Sequence, residues 1–186
     1  MARSNSRLMK LRDDHGWRCK PGNAVFVANR GAVRFDYPKS WTIQPADGGA
    51  IAFYDEPPPA DDCRLQLSVI QLPPGIDMSG LPLEEMLIDA IGRPEPGHEQ
   101  TPLETVHRGA VELTWTETHY IDQGEQRPAR SRNALGRAGG VHCILTFDFW
   151  EDDASRLLPV WDEVLRTLRI GEYIADPTRG PRRLRR

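Results

Sequence analysis

The chain of 186 residues carries 39% hydrophobic and 27% charged residues and a net charge of −3, a length that suits one domain with a substantial buried core. No apolar run approaches the roughly 18 residues of a membrane span, and Cys19, Cys63 and Cys143, odd in number and without repeated spacing, make no disulfide framework. Six Lys/Arg stand against Asp13 and Asp14 in residues 1–22, and five Arg against Glu172 and Asp176 in residues 171–186, so residues 23–170 carry −10. That acidic body repels phosphates from most of its surface, which disfavours nucleic acid as its partner.

These charge boundaries suggest a basic, mostly irregular segment over 1–22, one domain over 23–170 and a basic tail over 171–186. The opening residues lack the apolar core of a secretion signal, and the expectation is a reduced, cytoplasmic protein. Strands are predicted at Ala24–Ala28 and Ala32–Tyr37, divided by Asn29-Arg30-Gly31. Pro38 ends the second strand because it cannot donate to a ladder, and Trp41 supplies an apolar anchor three residues on. Shorter strands follow at Thr42-Ile43 and Ala50–Tyr54, then a stiff loop at Pro57-Pro58-Pro59. Cys63–Leu72 alternates, with Cys63, Leu65, Leu67 and Val69 on one face and Arg64, Gln66 and Ser68 on the other.

A helix is predicted at Pro82–Ile91, with Glu84 and Glu85 at its positive end and an apolar stripe of Leu83, Met86, Leu87, Ala90 and Ile91. A loop of about ten residues leads to an antiparallel meander of Ala110–Ile121, Arg127–Arg137 and Val141–Trp150. A two-residue turn at Gly139-Gly140 would set Arg130 and Arg132 against Leu145–Phe149 and bury unpaired charge. A three-residue loop pairing Arg137 with Val141 avoids this, placing Arg132 opposite Thr146 and Arg130 opposite Asp148. The last helix carries Leu157, Leu158, Trp161, Val164, Leu165 and Leu168 on one face. Ser155 as its N-cap keeps Pro159 near the start, with any turn at Asp152–Ala154 separate.

The order of elements, Tyr37-Pro38 with Trp41 close behind, the Leu-Glu-Glu helix, the long meander and a helix running into Leu165-Arg-Thr-Leu-Arg-Ile170, resembles the PsbP-like superfamily over residues 24–170. That superfamily includes the photosystem II extrinsic subunit, Mog-type Ran-binding factors and bacterial DcrB-like proteins. The resemblance implies an α+β fold, an antiparallel sheet of six to seven strands packed between helices as an α/β/α sandwich. It also implies a binding or chaperone-like role without catalysis, with no shared catalytic residues to carry over. Cytoplasmic DcrB-like chaperones match the expected localisation best.

The residues themselves agree. Nucleophilic catalysis lacks a constellation: there is no Gly-x-Ser-x-Gly, and His142 and Cys143, as strand neighbours, point to opposite faces. The rival is a small metal-dependent or hydrolytic enzyme using His107, Glu117 and His119, since Glu117 and His119 share a strand face. A metal site needs at least three ligands, however, and His142 lies on the other face. No cofactor or metal is expected. The candidate for binding a protein or peptide is the polar sheet face, with Arg64, Gln66, Thr116, Arg130, Arg132, Asp148 and Trp150.

Overall fold

Period-two alternation makes strands the main regular element, as the computed structural model, which describes residues 8–181, bears out. In chain order the elements are β1 (Asn23–Ala28), β2 (Val33–Pro38), β3 (Thr42–Pro45), β4 (Ile51–Tyr54), β5 (Cys63–Gln71), α1 (Leu83–Ile91), β6 (Glu99–Gln100), β7 (Glu104–Arg108), β8 (Val111–Asp122), β9 (Arg127–Ala138), β10 (Val141–Trp150), α2 (Ala154–Thr167) and β11 (Arg169–Ile170). A main antiparallel sheet of eight strands runs β3-β4-β5-β10-β9-β8, with β6 and β7 both pairing with β8. A second sheet has the order β1-β2-β11.

One face of the main sheet packs against α2 and the small sheet. Leu157, Trp161 and Val164 meet Leu113, Leu145 and Phe147 there, and Trp161 stacks on Phe147 with centroids 6.1 Å apart. Trp41 joins this core beside Phe147, as the Pro-x-x-Trp spacing anticipates. The opposite face carries α1, whose Leu83 and Leu87 bury against Leu135, with Ile144 at the edge. The α+β class and the helix-flanked sheet therefore stand as expected. The strand count is higher because β6 and β7 occupy the supposed loop: Glu104, Thr105 and His107 are exposed and show no apolar alternation. A two-residue turn at Gly109 (φ 60°) and Ala110 folds β7 onto β8.

The turn between β9 and β10 corrects the sequence reading. Val141 pairs with Ala138 across two residues, Gly139 and Gly140, and not with Arg137. Gly139 supplies the positive φ (56°) that such a tight hairpin needs. Arg132 consequently stands beside Phe147 and Arg130 beside Phe149, on the α2 face. The objection of unpaired buried charge fails because β8 places Glu117 directly opposite Arg132. Thr146 and Asp148 face Asn133 and Ser131 instead.

Helix α2 also begins earlier than the Ser155 cap implies. Its N-cap is Asp153, the last residue of a tight turn at Glu151–Asp153 that leads directly into the helix. Pro159 thus lies inside the helix, and the carbonyl of Ser155 loses its i+4 donor. Both residues are exposed, so water solvates that carbonyl.

The outermost parts of the basic segments, 1–7 and 182–186, lie outside the described residues. Residues 8–22 contain no helix or strand, yet they are tied to the other end of the chain. Trp17 is buried, donates its indole N–H to the Pro177 carbonyl at 2.8 Å and lies under the Arg34 guanidinium. The Gly16 and Arg12 amides donate to the Arg179 and Thr178 carbonyls. A side chain at Gly180 would collide with the Trp17 ring.

Candidate binding face and ionic cluster

The corrected register separates the expected site residues into two groups. Arg64, Gln66, Asp148 and Trp150 remain on the polar face: Arg64 pairs with Asp148 and Gln66 with Thr146 across β5 and β10. The Arg64 guanidinium also donates to the Gln66 side-chain oxygen. Thr116 shares this face but is fully buried, its hydroxyl donating to the Thr101 carbonyl at 2.7 Å. Arg127 lies over the Trp150 ring at 4.8 Å.

Beside these residues is a cleft of about 280 Å³ between the loop after α1 and strands β6, β8 and β9. Arg93, His98, Gln100, Tyr120, Ser131 and Asn133 contribute to its lining. His98 and Tyr120 pack ring to ring at 5.1 Å. The Ser131 hydroxyl donates to Asp148 at 2.6 Å. Burial raises the Asp148 carboxyl above its ordinary value, opposed by Ser131 and by the charge of Arg64. Burial and then the charges of Asp148 and Asp122 likewise raise the Tyr120 hydroxyl. The cleft therefore offers hydrogen-bonding groups from β6, β8 and β9 facing the charged Arg93 and Glu95 of the loop after α1, with the Asp148 carboxyl behind Ser131. Ser131 and Asn133 escaped the sequence reading because the shifted register assigned their positions to Arg130 and Arg132. Their alternation along β9 was the available signal.

Arg130 and Arg132 belong to a second cluster on the α2 face. The carboxylate of buried Glu117 accepts from Arg132 Nε, from Arg130 at 3.2 Å and pairs with His119 Nε2 at 2.8 Å. Arg130 also clamps Glu151. The Arg132 guanidinium lies over Trp115 at 4.9 Å. Burial acts to raise the Glu117 carboxyl, but the hydrogen bonds and charges of Arg132, His119 and Arg130 hold it below its ordinary value. Arg130 similarly holds Glu151 low.

Glu117 and His119 therefore do meet, as the strand spacing anticipates, but two arginines occupy the carboxylate. Exposed His107 and buried His142 lie on the other face, in one cross-strand row with Glu112 and Arg137. Among the described residues no group of three or more His, Cys, Asp or Glu is arranged to hold a metal. Cys63 and Cys143 are buried thiols, and burial pushes Cys143 up to about 12; such a thiol is a poor nucleophile. Among the described residues no helix is long and apolar enough to cross a membrane.

This architecture, a main antiparallel sheet between α1 and α2 with a small sheet beside α2, is the PsbP-like fold. The solution structure of cyanobacterial PsbP (CyanoP) from Synechocystis sp. PCC 6803 matches with a TM-score of 0.57 at 12% identity, over 83% of this chain and 98% of that one. The Saccharomyces cerevisiae Ran-binding protein Mog1p matches with a TM-score of 0.51 at 10% identity, over 80% and 95%. A Bacteroides thetaiotaomicron VPI-5482 structure gives a TM-score of 0.57 at 14% identity over 81% of this chain, which spans only 49% of that longer one. Within this fold the chain belongs to the Alr1449 family, whose model matches residues 24–174. Uncharacterized protein alr1449 of Nostoc sp. (strain PCC 7120 / SAG 25.82 / UTEX 2576) is 42% identical over 176 residues, 92% of this chain and 90% of that protein.

Proposed function

We propose that the chain is a non-catalytic binding protein that holds a protein or peptide partner on the polar face of its main sheet. The observation that carries this reading is the cleft beside Ser131, Asn133 and Tyr120, where half-buried hydrogen-bonding groups border a carboxyl raised by burial. Such a surface suits a polar, hydrogen-bonded contact. The likeness to Mog1p, named as Ran-binding, supports a protein partner at the level of the fold. Residues 23–170 are the proposed binding unit, in a reducing, cytoplasmic setting.

The enzymatic alternative has less support, since its best candidate base, Glu117, is committed to Arg132 and Arg130. Zinc added to the purified chain should leave the thermal unfolding midpoint unchanged; a rise of several degrees would favour the metal branch. For the binding branch, a tagged full chain and its Asn133→Ala/Tyr120→Ala variant are cross-linked and captured from the native host. A partner recovered with the parent and reduced at least tenfold with the variant supports the polar face. Equal recovery removes that face from the reading, and no reproducible partner counts against the binding function itself.

A further inference from the structure

Strand β1 is the outer strand of the small sheet, and no strand among the described residues pairs with its free edge. Its sequence, Asn-Ala-Val-Phe-Val-Ala, contains no charge and no proline. Natural edges are normally guarded by charged residues, proline or a covering segment, because unpaired N–H and C=O groups template another strand. Here a groove follows the unguarded edge. With a volume of about 1420 Å³, it is bordered by residues from both faces of β1, by Leu8–Asp13 on one side and by β3–β5 on the other. Half-buried Phe26, Ile43, Ile51 and Val69 form much of its inner wall.

The rim reverses the charge of the protein. Lys10, Arg12, Arg30 and Lys39 border the groove against only Asp13 and Asp176, on a chain whose residues 23–170 carry −10. All four cations are exposed, and among the described residues none of them stands in an ion pair. Their charge is thus available to an incoming anion.

We infer that this groove receives an extended, acidic segment of a partner protein, which adds to the small sheet along the free edge of β1. Main-chain hydrogen bonds to β1 supply affinity. Alternate apolar side chains enter between β1 and β3–β5, and acidic side chains meet the basic rim. A second copy of this chain suits the groove poorly, because edge-to-edge pairing of β1 would bring two basic rims together. The inference does not depend on the polar face of the main sheet.

The test uses the full chain and a fluorescein-labelled peptide, Gly-Glu-Val-Glu-Val-Glu-Val-Glu-Val-Gly, with a counterpart carrying Lys for Glu. Fluorescence anisotropy should show the acidic peptide binding at least tenfold more tightly than the basic one. Lys10→Glu/Lys39→Glu, two exposed positions, should weaken it at least tenfold, whereas Asn133→Ala should leave it unchanged. Hydrogen exchange should slow at Ala24–Ala28 when the acidic peptide binds. The inference is overturned if neither peptide binds, if both bind alike, or if protection appears elsewhere. It is also overturned if the chain alone dimerises with β1 already protected.

Discussion

Glu117 shows how one side chain sets the worth of its neighbours. Arg132 is acceptable beside Phe147 because this carboxylate receives it, and Arg130 beside Phe149 because Glu117 and Glu151 share it. Glu117→Gln should therefore destabilise by about 3 kcal/mol, since it leaves charge buried without its counter-ion; urea unfolding measures this. The double change Glu117→Met/Arg132→Met should cost less than the two single changes added together. His142 poses the opposite problem. It is buried with both ring nitrogens unpartnered, and burial, then the charge of neighbouring Arg137, lowers its pKa from the ordinary value of 6.5. The folded state thus disfavours the protonated ring while the unfolded chain accepts the proton. The contribution of His142 to stability is therefore fully present above about pH 6.5 and declines as pH falls toward the lower folded value. His142→Gln should flatten that acid limb in a series of unfolding midpoints.

Among the elements, α2 combines strong amphipathicity with an internal proline. Its buried face, Leu157, Trp161 and Val164, is anchored well enough to tolerate the missing hydrogen bond at Ser155. Pro159→Ala should restore that bond and stabilise by about 1–2 kcal/mol, the helical gain being offset partly by a looser unfolded chain. The check is the thermal midpoint at constant helical circular dichroism. The face and extent of α2 were legible from the 3.6-residue period of its apolar residues. Its first turn was not, because Asp153 and Ser155 are both capable caps and the choice follows from where β10 ends. The β9–β10 hairpin shows the same limit: Gly139-Gly140 marks a turn, but the pairing turned on a partner for Arg132 that only β8 supplies.

At the scale of the molecule, the two ends of the chain meet. Trp17, fixed by Pro177, Gly180 and Arg34, joins residues 8–18 to residues 175–181 over the small sheet. Trp17→Ala should lower stability by about 3 kcal/mol, in the usual range for removing a buried indole. Limited proteolysis should then cut residues 8–22 before any site in β5–β10. Neither link was visible from the charge pattern, which marks both ends only as polar and basic. A single tryptophan among charged residues is a weak signal until the glycine that receives it is known.

Strand positions other than those of β6 and β7, the faces of β5, β8 and β10, both helices and the likeness to the PsbP-like fold follow from the amino-acid sequence, because periodicity and turn chemistry act over a few residues. Much of the candidate face could be read in the same way: Arg64, Gln66, Thr116, Asp148 and Trp150 lie where alternation places them. The assignment of Arg130 and Arg132 to the ionic cluster, the joining of the chain ends and the basic groove along β1 arise only on folding. Each depends on residues far apart in the chain, whose charges and volumes compensate one another once the sheets have brought them into contact.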